Sequence, residues 1–325
     1  MRVLSGIQST GTIHLGNYFG ALVNWVKLQN EGHDCFYFIA NQHSITIPQE
    51  AEKLKKTTLE LAAVFLAVGL DPEKSTLFVQ SDIPAQSQFL WVLNCLSPMG
   101  QMERMIQFKE KSQKNPDSVN LGLFSYPVLQ AADVLLYKAD LVPVGIDQAQ
   151  HLELTRDLAN KFNLRYKSIF PEPKTLHTQT TKVVGLDGTA KMSKSANNYI
   201  GLTEEDTVLW SKIAPAVTDP ARVKKTDCGN PLICNVYALH KILSGKHDQD
   251  WVIEGCKNAT IGCMDCKKRL FTNLKIMLDP IRDSYNSWIN KKDELRDILA
   301  DGAKKANKVA GKTLQEVYEL IGFKY

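Results

Sequence analysis

Lys191-Met192-Ser193-Lys194-Ser195 gathers two ammonium groups and two hydroxyls into five residues, a composition suited to clamping polyphosphate charge. Far upstream runs Gln8-Ser9-Thr10-Gly11-Thr12-Ile13-His14-Leu15-Gly16-Asn17. It reads as a strand end, a glycine-bearing turn and the start of a helix. The first turn of a helix offers N–H groups and the positive end of its dipole to anions, and Gly16 lets a phosphate come close to the backbone. Either stretch alone is ordinary. A lysine-rich pentapeptide is usually a solvated loop, and a lone His-x-Gly carries no chemistry. Together, in this order, they point to binding and activation of ATP.

The elements that must position these residues alternate in type. Residues 1–7 read as a buried strand, 15–31 as a helix closed by Gly32, 35–40 as a second strand, 51–70 as a helix and 75–80 as a third strand. A helix spans Tyr126 to Tyr137, a short strand follows over 141–144, and Gly145 opens another helix. Such alternation predicts an α/β fold, a Rossmann-type doubly wound parallel sheet with ligands at the carboxyl ends of its strands. Beyond Ser195 it stops, and the chain from Glu204 onward reads as mostly helical, with breaks at Pro215, Pro220 and Gly229-Asn230-Pro231. The expected division is a catalytic domain over 1–180, rejoined by a C-terminal helix over 295–325, and an α-helical domain over 181–294.

Composition narrows the class. A chain of 325 residues that is 44% hydrophobic is long and apolar enough for two cored domains, which excludes a disordered chain. A net charge of +4, from 39 basic and 35 acidic residues, permits an RNA partner whose basic footprint is local. The start, Met1 to Ile7, is too short an apolar run for a signal peptide, and no window approaches the roughly 18 apolar residues a membrane helix needs. A soluble, cytoplasmic protein without a membrane partner is expected.

The chain resembles the bacterial-type tryptophanyl-tRNA synthetases, within the class I aminoacyl-tRNA synthetases. The resemblance runs along nearly the whole length. It is carried by Gly6-Ile7-Gln8, His14-Leu15-Gly16-Asn17, Tyr126-Pro127-Val128-Leu129-Gln130-Ala131-Ala132-Asp133, Val142-Pro143-Val144-Gly145-Ile146-Asp147-Gln148, His151 through Asp157, and Lys191 to Ser195. The combination is far more specific than any one of these. It implies two steps. The carboxylate of L-tryptophan attacks the α-phosphorus of ATP and pyrophosphate leaves; the acyl group then passes to the 3′-terminal adenosine of tRNA(Trp), first onto its 2′-hydroxyl. The protein's part in such chemistry is positioning and charge stabilisation.

The resemblance gives Lys191, Ser193 and Lys194 to the leaving pyrophosphate, His14 and Asn17 to the phosphates or the ribose side, and Lys111 to ATP. It adds Gln8, Ser9, Thr10, Gly16, Gly145, Ile146, Asp147, Val183, Met192 and Ser195 to the ATP site. Asp147 takes ribose hydroxyls or caps the helix that follows. Mg²⁺ is implied, held chiefly by phosphates. For tryptophan, a buried indole N–H must meet an acceptor, and the resemblance assigns Asp133. Its neighbours Ala131, Ala132, Val134 and Leu135 would make an unpaired carboxylate costly there. Tyr126 and Gln148 match residues that hold the α-amino and carboxyl groups. Leu4, His43, Val142 and Val144 match the pocket wall, with Gln130 beside them.

Two positions depart from the pattern: Ile146 stands where the family usually has an acid, and Gln130 where many bacterial members have Met. Tyrosyl-tRNA synthetases share a Leu-Gln-x-x-Asp segment, so Gln130 and Asp133 alone leave tyrosine open. Gly16-Asn17 and the run from Val142 to Gln148 favour tryptophan. A small-molecule nucleotidyltransferase is disfavoured by the Lys191–Ser195 loop and the long helical tail. A catalytically idle RNA-binding paralogue is disfavoured by the intact His14, Asp133, Lys191 and Lys194. Family analogy implies a homodimer. In the helical domain, Arg222, Lys224, Lys225, Lys267, Lys268 and Arg269 could meet tRNA phosphate.

There are seven cysteines, and an odd count in a cytosolic chain argues against a disulfide framework. Cys234 and the run Cys256-x6-Cys263-x2-Cys266 form a set that ordinary family members lack. The set resembles that of a subgroup which binds a [4Fe–4S] cluster in the anticodon-binding domain. Four thiolates also suit Zn²⁺, and free thiols remain a third reading.

Overall fold

The computed structural model describes residues 1–114, 119–177, 183–188, 190–194 and 196–324. The chain divides into two units, one of residues 1–11, 24–178 and 288–325, the other of 12–23 and 179–287.

The first unit is built on a five-stranded sheet, β1 (Arg2–Ile7), β2 (Asp34–Ile39), β3 (Ser75–Val79), β4 (Leu141–Val144) and β5 (Lys174–His177), in the order β3-β2-β1-β4-β5. Every pairing is parallel. β2 is buried at every position from Cys35 to Ile39, as a strand covered on both faces must be, which is why its apolar run is continuous rather than alternating. The doubly wound parallel sheet is the expected one. β5 was not expected: four residues, Lys-Thr-Leu-His, just after Pro171 and Pro173 carry no apolar run. The expected helix over 15–31 is also divided, into an α turn Leu15–Asn17, a π turn Tyr18–Leu22 and an α-helix Val23–Asn30.

The winding reverses at β1, which has β2 on one side and β4 on the other, and such a point opens a crevice at the strand ends. Pro143 widens it. Lying inside β4, it has no N–H for a ladder, and β1 and β4 pair only at Val3 and Leu141. The Ser5 hydroxyl donates instead to the Pro143 carbonyl at 3.0 Å. Gly6 is required here, because a Cβ would sit 2.6 Å from the Phe38 ring.

The helix Lys292–Ile321 covers the edge strand β3 so closely that a Cβ on Gly302 would lie 1.7 Å from the Leu77 carbonyl oxygen. Asn307 donates to the Asp82 carbonyl at 2.9 Å, and Lys138 pairs with Glu316 at 2.6 Å. Ala303, Ala306, Ala310 and Val317 enter the main core. An edge that could template aggregation is thereby sealed.

The second unit is helical, with Asp206–Ile213, Asn235–Leu243, Lys246–Lys257 and most of Cys263–Ile289. Residues 12–23 join it through a bridge between His14 and Gly201, closed by Leu15 N–H to Ile200 O and Leu202 N–H to Ile13 O, both 2.9 Å. No helix among the described residues is long and apolar enough to cross a membrane.

Candidate active site

At the carboxyl ends of β1 and β2, beside β4, lies a cavity of about 330 Å³ in the first unit. Leu4, Gln8, His43, Lys111, Tyr126, Gln130, Asp133, Val142 and Gln148 all border it. Segments far apart in sequence are thus brought to one place by the reversal at β1. Val144, expected on the wall, is partly buried and packs against the core beside it. Ser9 does not turn to the cavity. Its N–H and hydroxyl both meet the Ser44 hydroxyl, at 3.2 and 3.3 Å, and it is buried.

Asp133 touches the cavity yet has no solvent-accessible surface. Both oxygens of its carboxylate accept from protein donors. His43 Nε2 lies 2.8 Å from Oδ2 and, facing a group that only accepts, carries the proton. Gln80 Nε2 donates to both oxygens at 2.9 Å. A carboxylate has about four lone-pair sites, so these bonds leave capacity for one more donor.

A second network holds the opposite wall. The Tyr126 hydroxyl donates to Gln107 Oε1 at 2.8 Å and meets His151 Nε2 at 3.2 Å; His151 Nδ1 meets Gln148 Oε1 at 2.8 Å. Burial, then Lys111 and His43, bring the His151 pKa down to about 4, so it is neutral at pH 7. Lys111 sits 4.2 Å over the Tyr126 ring. Burial lowers its pKa, with Asp147 opposing. Gln80 and Gln107 escaped the sequence reading, and His151 entered it only as the first residue of a motif, with no role in the site. A lone Gln or His carries no signal unless its partners are known, and those partners lie far away in the chain.

Asp147 belongs to a 3₁₀ turn, Ile146–Gln148, and accepts from Gln148 Nε2 at 2.8 Å. It does not cap the following helix, whose N-cap is Gln148. A Cβ on Gly145 would lie 2.5 Å from Asp147 Oδ1 and make that carboxylate turn away.

The other motifs meet in the second unit. His14 Nδ1 accepts from Gly16 N–H at 3.1 Å, and Asn17 Oδ1 accepts from His14 N–H at 3.2 Å, a reciprocal cap. Gly16 has a second reason to be Gly: a Cβ would press the His14 ring at 2.9 Å. With Nδ1 accepting, the His14 proton is on Nε2. Burial, with Lys194 and Lys191 nearby, brings its pKa down to about 4. His14 therefore presents a neutral N–H donor, not a cation.

The Lys191–Lys194 loop grows from a hairpin, with a bridge between Val184 and Lys191 and Met192 N–H donating to Val183 O at 3.0 Å. Val183 and Met192 are buried beneath it. Asn198 anchors the loop, its Oδ1 accepting from Ser193 N–H at 2.8 Å and its Nδ2 donating to Asp187 at 3.0 Å. Burial brings the Lys194 pKa down to about 8. Ser195 lies outside the described residues.

A model of the class I tRNA synthetases of the W and Y type matches residues 1–279. The chain belongs to this family. It is 44% identical to a tryptophan–tRNA ligase of Deinococcus radiodurans, over 99% of this chain and 98% of that one. It is 44% identical to one of Thermotoga maritima, over 98% of each. A solved structure of tryptophanyl-tRNA synthetase from Campylobacter jejuni, complexed with ADP and tryptophan, superposes with a TM-score of 0.92 at 39% identity, over 99% of this chain and 100% of that one.

This synthetase carries a further cavity. Cys234, Cys256, Cys263 and Cys266 border one small space in the helical unit, together with Arg222. All seven cysteines are free thiols. Burial, then the other three thiols, push Cys266 up to about 12. Arg222 is turned inward, donating to Ile261 O at 2.6 Å and Lys225 O at 2.9 Å, with Nη1 3.6 Å from Cys256 Sγ. Its Nε is buried without a partner. Lys267 is likewise buried and donates to Ala214 O at 2.6 Å. These two of the six basic residues expected to meet tRNA phosphate face inward; Lys224, Lys225, Lys268 and Arg269 are exposed. Among the described residues no three His, Cys, Asp or Glu side chains are grouped so as to hold a metal ion.

Proposed function

We infer that the chain is a tryptophan–tRNA ligase. It activates L-tryptophan with ATP, releases pyrophosphate, and transfers the tryptophanyl group to tRNA(Trp). The observation that carries the choice of tryptophan is the 44% identity to tryptophan–tRNA ligases over nearly the whole chain; the buried carboxylate of Asp133, held with one accepting site to spare, supplies the acceptor such a side chain needs. The curated relatives at 44% identity bear the same activity in their names.

We assign the residue roles by the family resemblance, with the geometry in support. Asp133 accepts the indole N–H. Tyr126 and Gln148, tied through His151, hold the amino and carboxyl groups so that one carboxylate oxygen faces the α-phosphorus. Lys111 and Gln8 border the same space and neutralise or orient phosphate. Lys191, Lys194 and Ser193 take the charge that develops on pyrophosphate. Neutral His14 donates from Nε2 to a phosphate oxygen without adding a second repelled cation beside Lys194. Mg²⁺, held chiefly by the phosphates, would supply further charge neutralisation.

The anticodon end of the tRNA is assigned to the helical segment 181–294, and work in the cytoplasm as a homodimer completes the reading. For the cysteine set we assign a tetrathiolate centre, a [4Fe–4S] cluster by resemblance. The donor set and the orphaned guanidinium Nε of Arg222 suit an anionic occupant, since four thiolates around such a centre leave net negative charge. At about 20 Å³ the cavity is smaller than a cuboidal cluster, so the thiol side chains must swing apart to admit one.

Pyrophosphate exchange into ATP tests the activity. It should depend on tryptophan and discriminate against tyrosine; comparable activation of tyrosine overturns the assignment. Iron analysis and absorbance near 400 nm of an anaerobic preparation test the cluster, with zinc or metal-free thiols as the contrary results.

A further inference from the structure

We propose that Gln80 is a positioning residue for tryptophan recognition, fixing the Asp133 carboxylate in the orientation that accepts the indole N–H. The proposal rests on the reading that Asp133 is that acceptor.

Gln80 opens a 3₁₀ turn, Gln80–Asp82, at the carboxyl end of β3, and is completely buried. Its amide orientation is determined by its partners. Oε1 accepts the backbone N–H of Gln42 at 3.1 Å and of His43 at 3.4 Å, while Nε2 donates to both oxygens of Asp133. A flipped amide would set its oxygen against a carboxylate and its NH₂ against two N–H donors, so only one orientation is tenable.

The consequence is a closed circuit. The N–H of His43 binds Gln80, the His43 ring binds Asp133, and Asp133 binds Gln80. A carboxyl side chain on a helix can rotate about its last torsion nearly freely, because that torsion is broad. Two donors on opposite sides remove this freedom before substrate arrives. His43 contacts only Oδ2, so it cannot by itself stop the group from turning. Gln80 spans both oxygens and does. Displacing a reacting or recognising group by about 1 Å can cost two orders of magnitude, which is the scale of what this tether protects.

The test compares L-tryptophan with its benzothiophene analogue, in which sulfur replaces the indole N–H, by calorimetric binding and pyrophosphate exchange. In Gln80→Met, which keeps the volume and removes the polar contacts, tryptophan should lose roughly 10- to 100-fold in affinity, the worth of one hydrogen bond to a charged group. The analogue should change less than about threefold, because it makes no such bond. The analogue thereby reports that the variant is folded. Gln80→Glu supplies the second variant. Two facing carboxylates share a proton, so its tryptophan affinity should recover as pH falls while the analogue's stays level. Equal losses on both ligands in both variants, or no loss on tryptophan in either, overturn the proposal. Asp133→Ala separates this outcome from failure of the underlying reading: if Asp133→Ala leaves the preference for tryptophan over the analogue intact, it is the assignment of Asp133 that fails.

Discussion

The amino-acid cavity and the cysteine cavity handle buried polarity in opposite ways. Around Asp133, His43 and Gln80 hold the carboxylate and Tyr126, Gln107, His151 and Gln148 contact one another, although the Tyr137 hydroxyl is buried without a partner. Around the four cysteines burial, and then the neighbouring thiols, push the Cys256 and Cys266 thiols up, and a buried guanidinium N–H has no partner. Low local dielectric makes a satisfied network rigid and an unsatisfied one expensive. The first cavity is therefore a mould that stands before its ligand comes. The second is a donor set that gains from an added charged centre. A substrate that binds and leaves at every turnover needs the former, and a resident group suits the latter.

The largest effect should come from breaking the mould. Asp133→Ala removes the acceptor and strands the donors of His43 and Gln80, and sites built around a substrate hydrogen bond lose about 10³-fold or more when it is deleted. Tryptophan-dependent exchange should fall by that order in kcat/KM; a fall under about tenfold would mean the two cavities do not differ as argued. Breaking the other cavity should act elsewhere. Cys256→Ser combined with Cys266→Ser should abolish the iron content that the proposed tetrathiolate centre calls for and slow tRNA charging by about tenfold, since metal sites of this kind couple to local folding. Exchange without tRNA should stay within about threefold, measured on the same preparation. Equal losses in both assays would show that the cysteine region serves activation as well.

The contrast was legible in the sequence only on one side. Asp133 stood out because the family resemblance assigns it and a carboxylate among alanines and aliphatic residues demands a partner, and the cysteines because thiols at short spacing demand a reason. β1, β2 and β3 were legible as apolar runs. β5 was not, because four mixed residues have no period. Nor were Gln80, Gln107 and the role of His151, whose meaning lies in partners that folding supplies. Arg222 and Lys267 misled for the same reason: a basic residue in a basic stretch reads as solvated until burial turns it inward. Sequence shows where a cost is incurred more readily than what offsets it.

The Lys191–Lys194 loop offers a sharper intermediate case, a half-buried cation with a narrow margin of charge. Burial lowers the Lys194 pKa from 10.5 to about 8, so the ammonium is present below that pH and lost above it. In kcat/KM for ATP, which reports the free enzyme, exchange should fall as pH rises through about 8, by roughly tenfold at two units above neutrality. Lys194→Arg keeps its charge and should shift that limb upward. A profile identical in both proteins would place the titration on another group.

The smallest effect separates site from scaffold. Gly302→Ala would drive a methyl into the Leu77 carbonyl, where the helix Lys292–Ile321 seals the edge of β3. Backbone cannot yield as a side-chain tip does, so the helix must lift, at about 2 kcal/mol, the usual cost of overpacking. Thermal melting should shift down by about 4–8 °C, while exchange per folded molecule at 25 °C stays near wild type, because no group of either cavity moves. A specific loss of tryptophan activation in this variant would instead tie the edge of the sheet to the mould: β3 ends at Gln80, and a lifted helix that disturbed Leu77 would reach Asp133 through that single amide.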